Sequence, residues 1–91
     1  MNEYELMNAR AEMYKVEKET IKTWLDKIGF KEPIGYWYNY GARNLVLYTN
    51  RPGQLIGKHG NDIDILRDAL TNQMVGNWTI ELVEIKGGFV V

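Results

Sequence analysis

The fold is decided by residues 51–60, which read Arg51-Pro52-Gly53-Gln54-Leu55-Ile56-Gly57-Lys58-His59-Gly60. Pro52 suits the first position of a short helix, and Gly57 must end that helix almost at once. Gly57 and Gly60 lie three residues apart, so no β-carbon obstructs the backbone at either position. This pattern predicts a tight turn between two helical segments, open enough for another backbone to approach closely.

The amide groups that open the helix after Gly60 predict an anion site. They are unpaired, they carry the positive end of the helix dipole, and a phosphate is their natural partner. Lys58, and His59 when protonated, would add positive charge. A helix-turn-helix corner with purely geometric glycines has the same spacing, so spacing alone leaves both interpretations open. A phosphate-binding P-loop is excluded, because the turn follows a helical segment and Asn61 stands where Lys-Ser/Thr would be needed.

The first 29 residues predict one long helix. Apolar residues recur at three- and four-residue steps, interrupted by Lys18, at Tyr4, Met7, Ala11, Tyr14, Ile21, Leu25 and Ile28. Asn2 can cap this helix with Glu5 as its capping-box partner, and Gly29 suits its end. A continuous helix of this length spans about 40 Å. Its first turns would therefore protrude from the domain, unless the helix breaks near Thr20.

The remaining pattern predicts three strands and a second long helix. Residues 34–40 and 45–49 form a hairpin around a turn at 41–44, and this connection favours antiparallel pairing. A helix starting at Asn61, its predicted N-cap, and stopped by Gly76-Asn77 carries Ile63, Leu66, Leu70 and Met74 on one face. The last strand, residues 78–85, follows a helical crossover and should pair parallel. The predicted class is α+β, with the order α-β-β-α-α-β and helices on one face of a mixed three-stranded sheet.

The run Ile56-Gly57-Lys58-His59-Gly60, followed by Ile63, resembles the I-G-x-x-G-x-x-I signature of K-homology (KH) domains. The wider stretch through Leu66-Arg67, with the last strand Ile80-x-Leu82-x-Glu84-Ile85-Lys86, is similar to type II KH domains of the family of the third small-subunit ribosomal protein. The resemblance covers residues 34–86, and the predicted element order is the type II order. It implies one KH-like domain over residues 1–91, comprising a long helix (1–29), a KH core (30–86) and a short tail (87–91).

This resemblance implies a groove that binds a short single strand of RNA, or alternatively DNA, without catalysis. The GXXG turn would hold the sugar-phosphate backbone, and apolar side chains would lie under the bases. Arg51 and Arg67 could reach a phosphate or a base edge. The residues that the resemblance assigns to the site are Arg51, Ile56, Gly57, Lys58, His59, Gly60, Ile63, Arg67, Ile80 and Leu82.

Several of these residues also have a purely structural interpretation. Ile56 and Ile63 are expected in the core whatever the function. Arg67 can pair along its helix with Asp64 or Asp68. The net charge of −1 supplies no attractive field over the whole domain, so binding would rest on two or three local phosphate contacts.

Composition excludes several classes of site. With no cysteine and a single histidine, the chain has no thiolate zinc site, no disulfide and no material for a histidine-built metal centre. The carboxylates are scattered, so we expect neither an enzyme nor a bound cofactor or metal. No apolar run approaches the ~20 residues of a membrane span, and the first residues do not resemble a signal peptide. We therefore expect a cytoplasmic protein without a membrane partner.

Three further features predict surfaces or packing. Tyr36, Tyr38 and Tyr40 share one strand face, where they could stack bases or instead pack within the sheet and under the first helix. The tryptophans, Trp24, Trp37 and Trp78, are expected in the core. The stripe on the protruding helix could pair with a second copy or another protein. The alternative function is therefore an interaction or homo-oligomerisation module on a KH frame, with weak or lost nucleic-acid binding.

Overall fold

The computed structural model describes residues 2–74 and 76–86 and has an α+β fold. Its elements are α1 (Glu3–Ile28), β1 (Gly35–Asn39), β2 (Asn44–Thr49), α2 (Pro52–Ile56), a 3₁₀ turn (Lys58–Gly60), α3 (Asn61–Gln73) and β3 (Thr79–Glu84). The class and the element order are those that the sequence predicts. The predicted tail, residues 87–91, lies outside the described residues.

Helix α1 is continuous through Thr20. The side chain of Asn2 accepts a hydrogen bond from the backbone N–H of Glu5 at 2.8 Å, so Asn2 is the N-cap, and Gly29 ends the helix with φ of 75°. Residues 3–16 are all exposed, and burial begins at Glu17. The first half of α1 therefore forms an overhang (residues 3–16) that projects about 20 Å from the domain. Within the described ranges no helix is both long and apolar enough to cross a membrane.

The sheet has β2 at its centre, with β1 antiparallel on one side and β3 parallel on the other. Because side chains alternate between the two faces of a strand, the register places one set together on the helix-covered face. That set is Tyr36, Tyr38, Leu45, Leu47, Ile80 and Leu82. Strand β3 is an edge strand and contacts α2, so this edge borders the turn that follows α2.

The core lies between this face and the helices. Leu55 from α2, Leu66 and Leu70 from α3, and Leu45 and Leu47 from β2 are completely buried. Each such side chain contributes about 1.5–3 kcal/mol by leaving water. The helices therefore reach the sheet mainly through leucines, one of which, Leu55, immediately precedes the turn region.

The prediction that all three tryptophans lie in the core is confirmed for Trp24 and Trp78 and wrong for Trp37. The side chain of Trp37 is 56% exposed. Its neighbours in β1, Tyr36 and Tyr38, point toward the helices, so strand alternation turns Trp37 to the opposite face of the sheet.

The ends of α3 differ from the predicted ones. Asn61 already has helical angles, with φ of −63° and ψ of −41°, and its side chain makes no capping hydrogen bond. The 3₁₀ turn runs directly into α3, so Gly60 occupies the N-cap position. The helix ends at Gln73, and Met74 is extended and still packs partly against the core. The predicted stop at Gly76-Asn77 was therefore placed too late.

Tyr38 and Tyr40 connect β1 to α1. The hydroxyl of Tyr38 donates to the backbone carbonyl of Glu17 at 3.1 Å, and the hydroxyl of Tyr40 donates to the Glu17 carboxylate. Burial, and then the charge of Glu17, raises the pKa of Tyr38. Burial, and then the hydrogen bond to Glu17, raises the pKa of Tyr40. This face of β1 therefore packs beneath α1, which favours the packing interpretation of the tyrosines over base stacking.

We expect Tyr38 and Tyr40 to ionise late in an alkaline titration of the folded protein. Folding favours the neutral phenol. The two tyrosines therefore contribute fully to the free energy of unfolding below their unfolded pKa of about 10, and this contribution is lost as the pH rises toward their pKa values in the folded protein. An absorbance titration of wild type, Tyr38→Phe and Tyr40→Phe would check this. Each variant should lose part of the late change, and loss of an early-titrating component instead would contradict the prediction.

Candidate nucleic-acid interface

The four residues Gly57–Gly60 form a tight turn between α2 and α3. Gly57 has φ of 78° and ψ of 178°, and Gly60 has φ of 77° and ψ of 9°. The N–H of Gly60 donates to the carbonyl of Gly57 at 3.3 Å, which closes the turn. His59 also has a positive φ, 57°. These angles explain why glycine stands at both ends, since other residues rarely adopt them.

The two glycines are required for different reasons. A β-carbon on Gly57 would lie 2.5 Å from Cγ of Asp62, so the side chain of Asp62 lies directly against the Gly57 backbone. A β-carbon on Gly60 would meet nothing within 4 Å. Position 57 therefore requires glycine for two reasons, the contact with the Asp62 side chain and the backbone angles. Position 60 requires glycine for its backbone angles alone.

Helix α1 holds the start of α3 in place. The indole N–H of Trp24 donates to the backbone carbonyl of Asp62 at 2.7 Å, and the Trp24 side chain is only 2% exposed. On the other side of the turn, the fully buried Leu55 anchors α2. The turn is thus mounted on two elements that are each fixed by core contacts, which favours a pre-formed backbone surface.

The side chains at the apex are free of the core. Lys58 and His59 are both exposed, while Gly57 and Gly60 are half-buried. Asp62, immediately beneath, is an acid in the first turn of α3 and stabilises its N-terminus. Because this carboxylate also repels an anion, an approaching phosphate depends on Lys58, and on His59 when protonated, for its compensating positive charge.

Both candidate arginines lie in ion pairs. Arg51 pairs with Glu32 at 3.1 Å, and Arg67 pairs with Asp64 at 2.6 Å along α3. The second pair is the structural interpretation that the sequence suggested for Arg67. Both guanidinium groups are about half exposed, and exposed pairs contribute at most about 1 kcal/mol. A phosphate can therefore compete for either arginine at small cost.

Apolar side chains continue from the turn to the sheet edge. Ile63, Ile80 and Leu82 are half-buried and pack against the core, whereas Ile56 is 40% exposed. The expectation that Ile56 belongs to the core was wrong, because in the short helix α2 its neighbour Leu55 takes the inward position. Ile56 therefore offers apolar surface next to the turn, beside the edge strand β3.

Sequence reasoning missed the residues that support the site. Glu32 carried no signal, because its ion pair with Arg51 depends on how the chain folds between α1 and β1. Trp24 was assigned to the core without its hydrogen bond to α3. The position of Asp62 against Gly57 gave no signal in the sequence, since an acid in the first turn of a helix is common.

Comparison with known proteins gives short matches to one ribosomal protein. Small ribosomal subunit protein uS3 of Gluconacetobacter diazotrophicus is 43% identical over 42 residues, which are 46% of this chain and 19% of that protein. The uS3 proteins of Herminiimonas arsenicoxydans and Janthinobacterium sp. are each 40% identical over 42 residues, covering 46% of this chain and 15% of each relative. No protein-family model matches the chain, and no solved structure reaches a significant match.

The matched segment thus spans less than a fifth of each relative. The similarity supports a KH-like relationship between this chain and uS3, and it agrees with the element order of the fold. Over these 42 residues the chain is therefore similar to a component of the small ribosomal subunit.

Proposed function

We propose that this protein binds single-stranded nucleic acid, most readily RNA, through the turn Gly57–Gly60 and without catalysis. The observation that carries the proposal is the turn itself: a closed backbone loop with two exposed side chains, Lys58 and His59, mounted on buried anchors. The relatives support RNA rather than another polyanion, because they are components of the small ribosomal subunit. A cytoplasmic location belongs to the same proposal for the same reason.

In this mechanism the backbone and the bases bind to different parts of the groove. The amides of Gly60 and Asn61 already donate to the carbonyls of Gly57 and Lys58 within the turn. Phosphates therefore lie against the turn where the Lys58 ammonium and the positive end of the α3 dipole stabilise their charge. Bases lie over the exposed Ile56 and the half-buried Ile63, next to the edge of β3 with Ile80 and Leu82. Single strands fit this arrangement because their base edges are free, whereas a duplex hides them.

The two arginines can extend the phosphate contacts by exchanging partners. Arg51 would leave Glu32, or Arg67 would leave Asp64, for a phosphate that approaches either end of the turn. With two or three such contacts the logarithm of affinity should fall with the logarithm of salt with a slope of about −1.5 to −2 for a single strand. Binding by one domain is expected to be on the order of micromolar or weaker.

The test is a titration of labelled single strands of RNA and DNA at low salt. The variant carries Lys58→Asp and His59→Asp, both at exposed positions, and aspartate tolerates the positive φ of residue 59. We expect wild type to bind RNA and the variant to lose at least about tenfold in affinity, which is ~1.4 kcal/mol. The fold should persist, with an unchanged unfolding midpoint.

The matched control is Lys22→Glu with Thr23→Glu, at two exposed positions of α1, which together change the net charge by the same amount as the turn variant. It should leave RNA affinity nearly unchanged, because it alters net charge without touching the turn. Equal weakening by the control and the turn variant would mean that only total charge matters. No binding by wild type, or equal binding by wild type and the turn variant, would refute the proposal.

A second candidate function, protein interaction on a KH frame, is favoured by a separate observation. The overhang of α1 is exposed over residues 3–16 and carries large apolar side chains that the domain does not cover. This candidate makes no demand on Lys58 or His59. It therefore remains if the turn binds no nucleic acid.

A further inference from the structure

The two edges of the sheet differ in how they are protected. Strand β3, at one edge, carries Glu81 and Glu84, whereas β1, at the other edge, lies in a stretch without any charged residue or proline, residues 34–40. The pairing of β1 with β2 is also continuous, so β1 contains no bulge. Charges, prolines and bulges are devices that keep an edge strand from pairing with another chain. Strand β1 therefore remains open to an additional strand.

The backbone of β1 has hydrogen-bonding groups that point away from the sheet. The N–H of Ile85 donates to the carbonyl of Thr49 at 2.8 Å, which shows that the odd-numbered residues of β2 direct their backbone groups to β3. The even-numbered residues of β2 therefore bond to β1, where the register pairs them with odd-numbered residues. The N–H and C=O groups of Tyr36 and Tyr38 consequently point outward, and no strand pairs with them in the part of the chain that the structure describes.

The side chains along this edge leave both faces of the sheet accessible. On the helix-covered face the side chain of Tyr36 is 36% exposed, and on the opposite face that of Trp37 is 56% exposed. Of the three central residues of β1 only Tyr38 is closed off, because it is buried beneath α1. A strand added to β1 could therefore contact an aromatic side chain on either face.

The sequence of this edge is nearly symmetric about its centre. Residues 34–40 read Ile-Gly-Tyr-Trp-Tyr-Asn-Tyr, so Trp37 is central and has a tyrosine on each side. In an antiparallel pair centred on Trp37, Tyr36 lies opposite Tyr38 of the second copy, and the outward backbone groups of these residues exchange hydrogen bonds. The two Trp37 side chains then meet at the intervening position, where opposite side chains are closest.

This symmetry favours a second copy of the chain over an unrelated peptide. A second β1 supplies an aromatic residue opposite each of Tyr36, Trp37 and Tyr38, and aromatic pairs across neighbouring strands stabilise a sheet. Each contact occurs twice, as a twofold axis requires. No like charges meet along the paired strands, because residues 34–40 carry none.

We propose that the protein forms a homodimer in which the β1 strands of two copies pair antiparallel about a twofold axis at Trp37. The two three-stranded sheets then form one sheet in the order β3-β2-β1-β1-β2-β3, with the helices of both copies on the same face. The interface uses no residue of the turn Gly57–Gly60 and leaves β3 at the outer edges. Dimerisation and nucleic-acid binding can therefore succeed or fail independently.

Sedimentation equilibrium from low to high micromolar concentration tests the dimer. The mass of the wild type should rise from 10.6 kDa toward twice that value. Trp37→Lys places two like charges directly opposite each other at the axis, and lysine is a normal residue of an exposed edge strand. It should raise the dimer dissociation constant at least about tenfold and leave the circular dichroism spectrum unchanged. Trp37→Phe keeps an aromatic ring at this position and should retain the dimer.

The matched control is Thr79→Lys, which adds the same charge at an exposed position on the same face of the other edge strand. It should leave the dissociation constant unchanged. A wild type that stays at the monomer mass throughout would overturn the proposal. Equal dissociation by Trp37→Lys and Thr79→Lys would overturn the proposed interface.

Disulfide cross-linking tests the register directly, because the chain has no cysteine of its own. In the proposed pair the two Cα atoms at position 37 lie about 4.5 Å apart, within the range of about 4.4–6.8 Å that a disulfide spans. Mild oxidation of Trp37→Cys should therefore give a covalent dimer at least about tenfold faster than oxidation of Thr79→Cys, since five strand spacings, roughly 20 Å or more, separate the two β3 strands. Equal rates for the two cysteine variants would rule out this register.

Discussion

Gly57→Ala should lower the free energy of unfolding by about 3 kcal/mol and abolish nucleic-acid binding. The backbone angles of Gly57, φ of 78° and ψ of 178°, lie in a region that is essentially restricted to glycine. The added β-carbon would also meet the Asp62 side chain at 2.5 Å. The turn can relieve both problems only by changing shape, and its shape is what the proposed phosphate contact needs.

The control is Gly60→Ala, at the other end of the same turn. Its φ of 77° is equally left-handed, but the added β-carbon has open space, so only the conformational cost of about 1–2 kcal/mol applies. Chemical denaturation of both variants, with stability extrapolated to zero denaturant, measures the difference. Equal losses for the two variants would show that the contact between Gly57 and Asp62 does not matter.

Trp24→Ala should cost about 3–5 kcal/mol, a large part of the stability of a domain of this size. Its side chain is almost fully buried between α1 and α3, so removal leaves a cavity. The milder Trp24→Phe keeps most of the apolar volume and removes one hydrogen bond to the carbonyl of Asp62. Because that carbonyl also accepts a hydrogen bond within α3, the loss should be about 0.5–1.5 kcal/mol.

Trp24→Phe also tests how the turn is held. Trp24 is buried and cannot reach a bound strand, yet it fixes the first turn of α3, so the substitution should weaken RNA binding several-fold in protein that is still folded. The matched control is Trp37→Phe, at the exposed tryptophan of β1, which should change stability by less than about 0.5 kcal/mol. Similar effects of the two phenylalanine variants on stability and on binding would contradict this role.

Much of the fold was predictable because it is encoded in short-range patterns. The cap at Asn2, the left-handed Gly29 and the start of α2 at Pro52 each depend on residues within one helical turn. The pairing of the strands followed from the lengths of their connections. Asn61 was the exception, because a residue type that favours capping lies here within a helix that the preceding 3₁₀ turn has already started.

Only the parts of the site that lie within one short segment of the chain were predictable from the sequence. The tight turn Gly57–Gly60 followed from its spacing, but the ion pair that engages Arg51 joins it to Glu32, nineteen residues away. The exposure of Ile56 depended on which of two adjacent apolar residues faces the core. The stripe Tyr4–Met7–Ala11–Tyr14 was predicted as an interaction surface, whereas the folded domain has a groove at the base of α1 that is lined by Met13 and Val16, from another side of that helix.

Local hydrophobic periodicity, caps and glycine positions were thus enough to predict the elements, their order and the turn. Packing between distant segments set the remaining features: the support of the turn by Trp24, the partner of Arg51 and the exposure of Trp37 on the uncovered face of the sheet. The physical reason is that backbone conformation is largely specified within a few residues. Contacts across the core depend on side chains far apart in the chain, and their pairing is resolved only when the helices dock on the sheet.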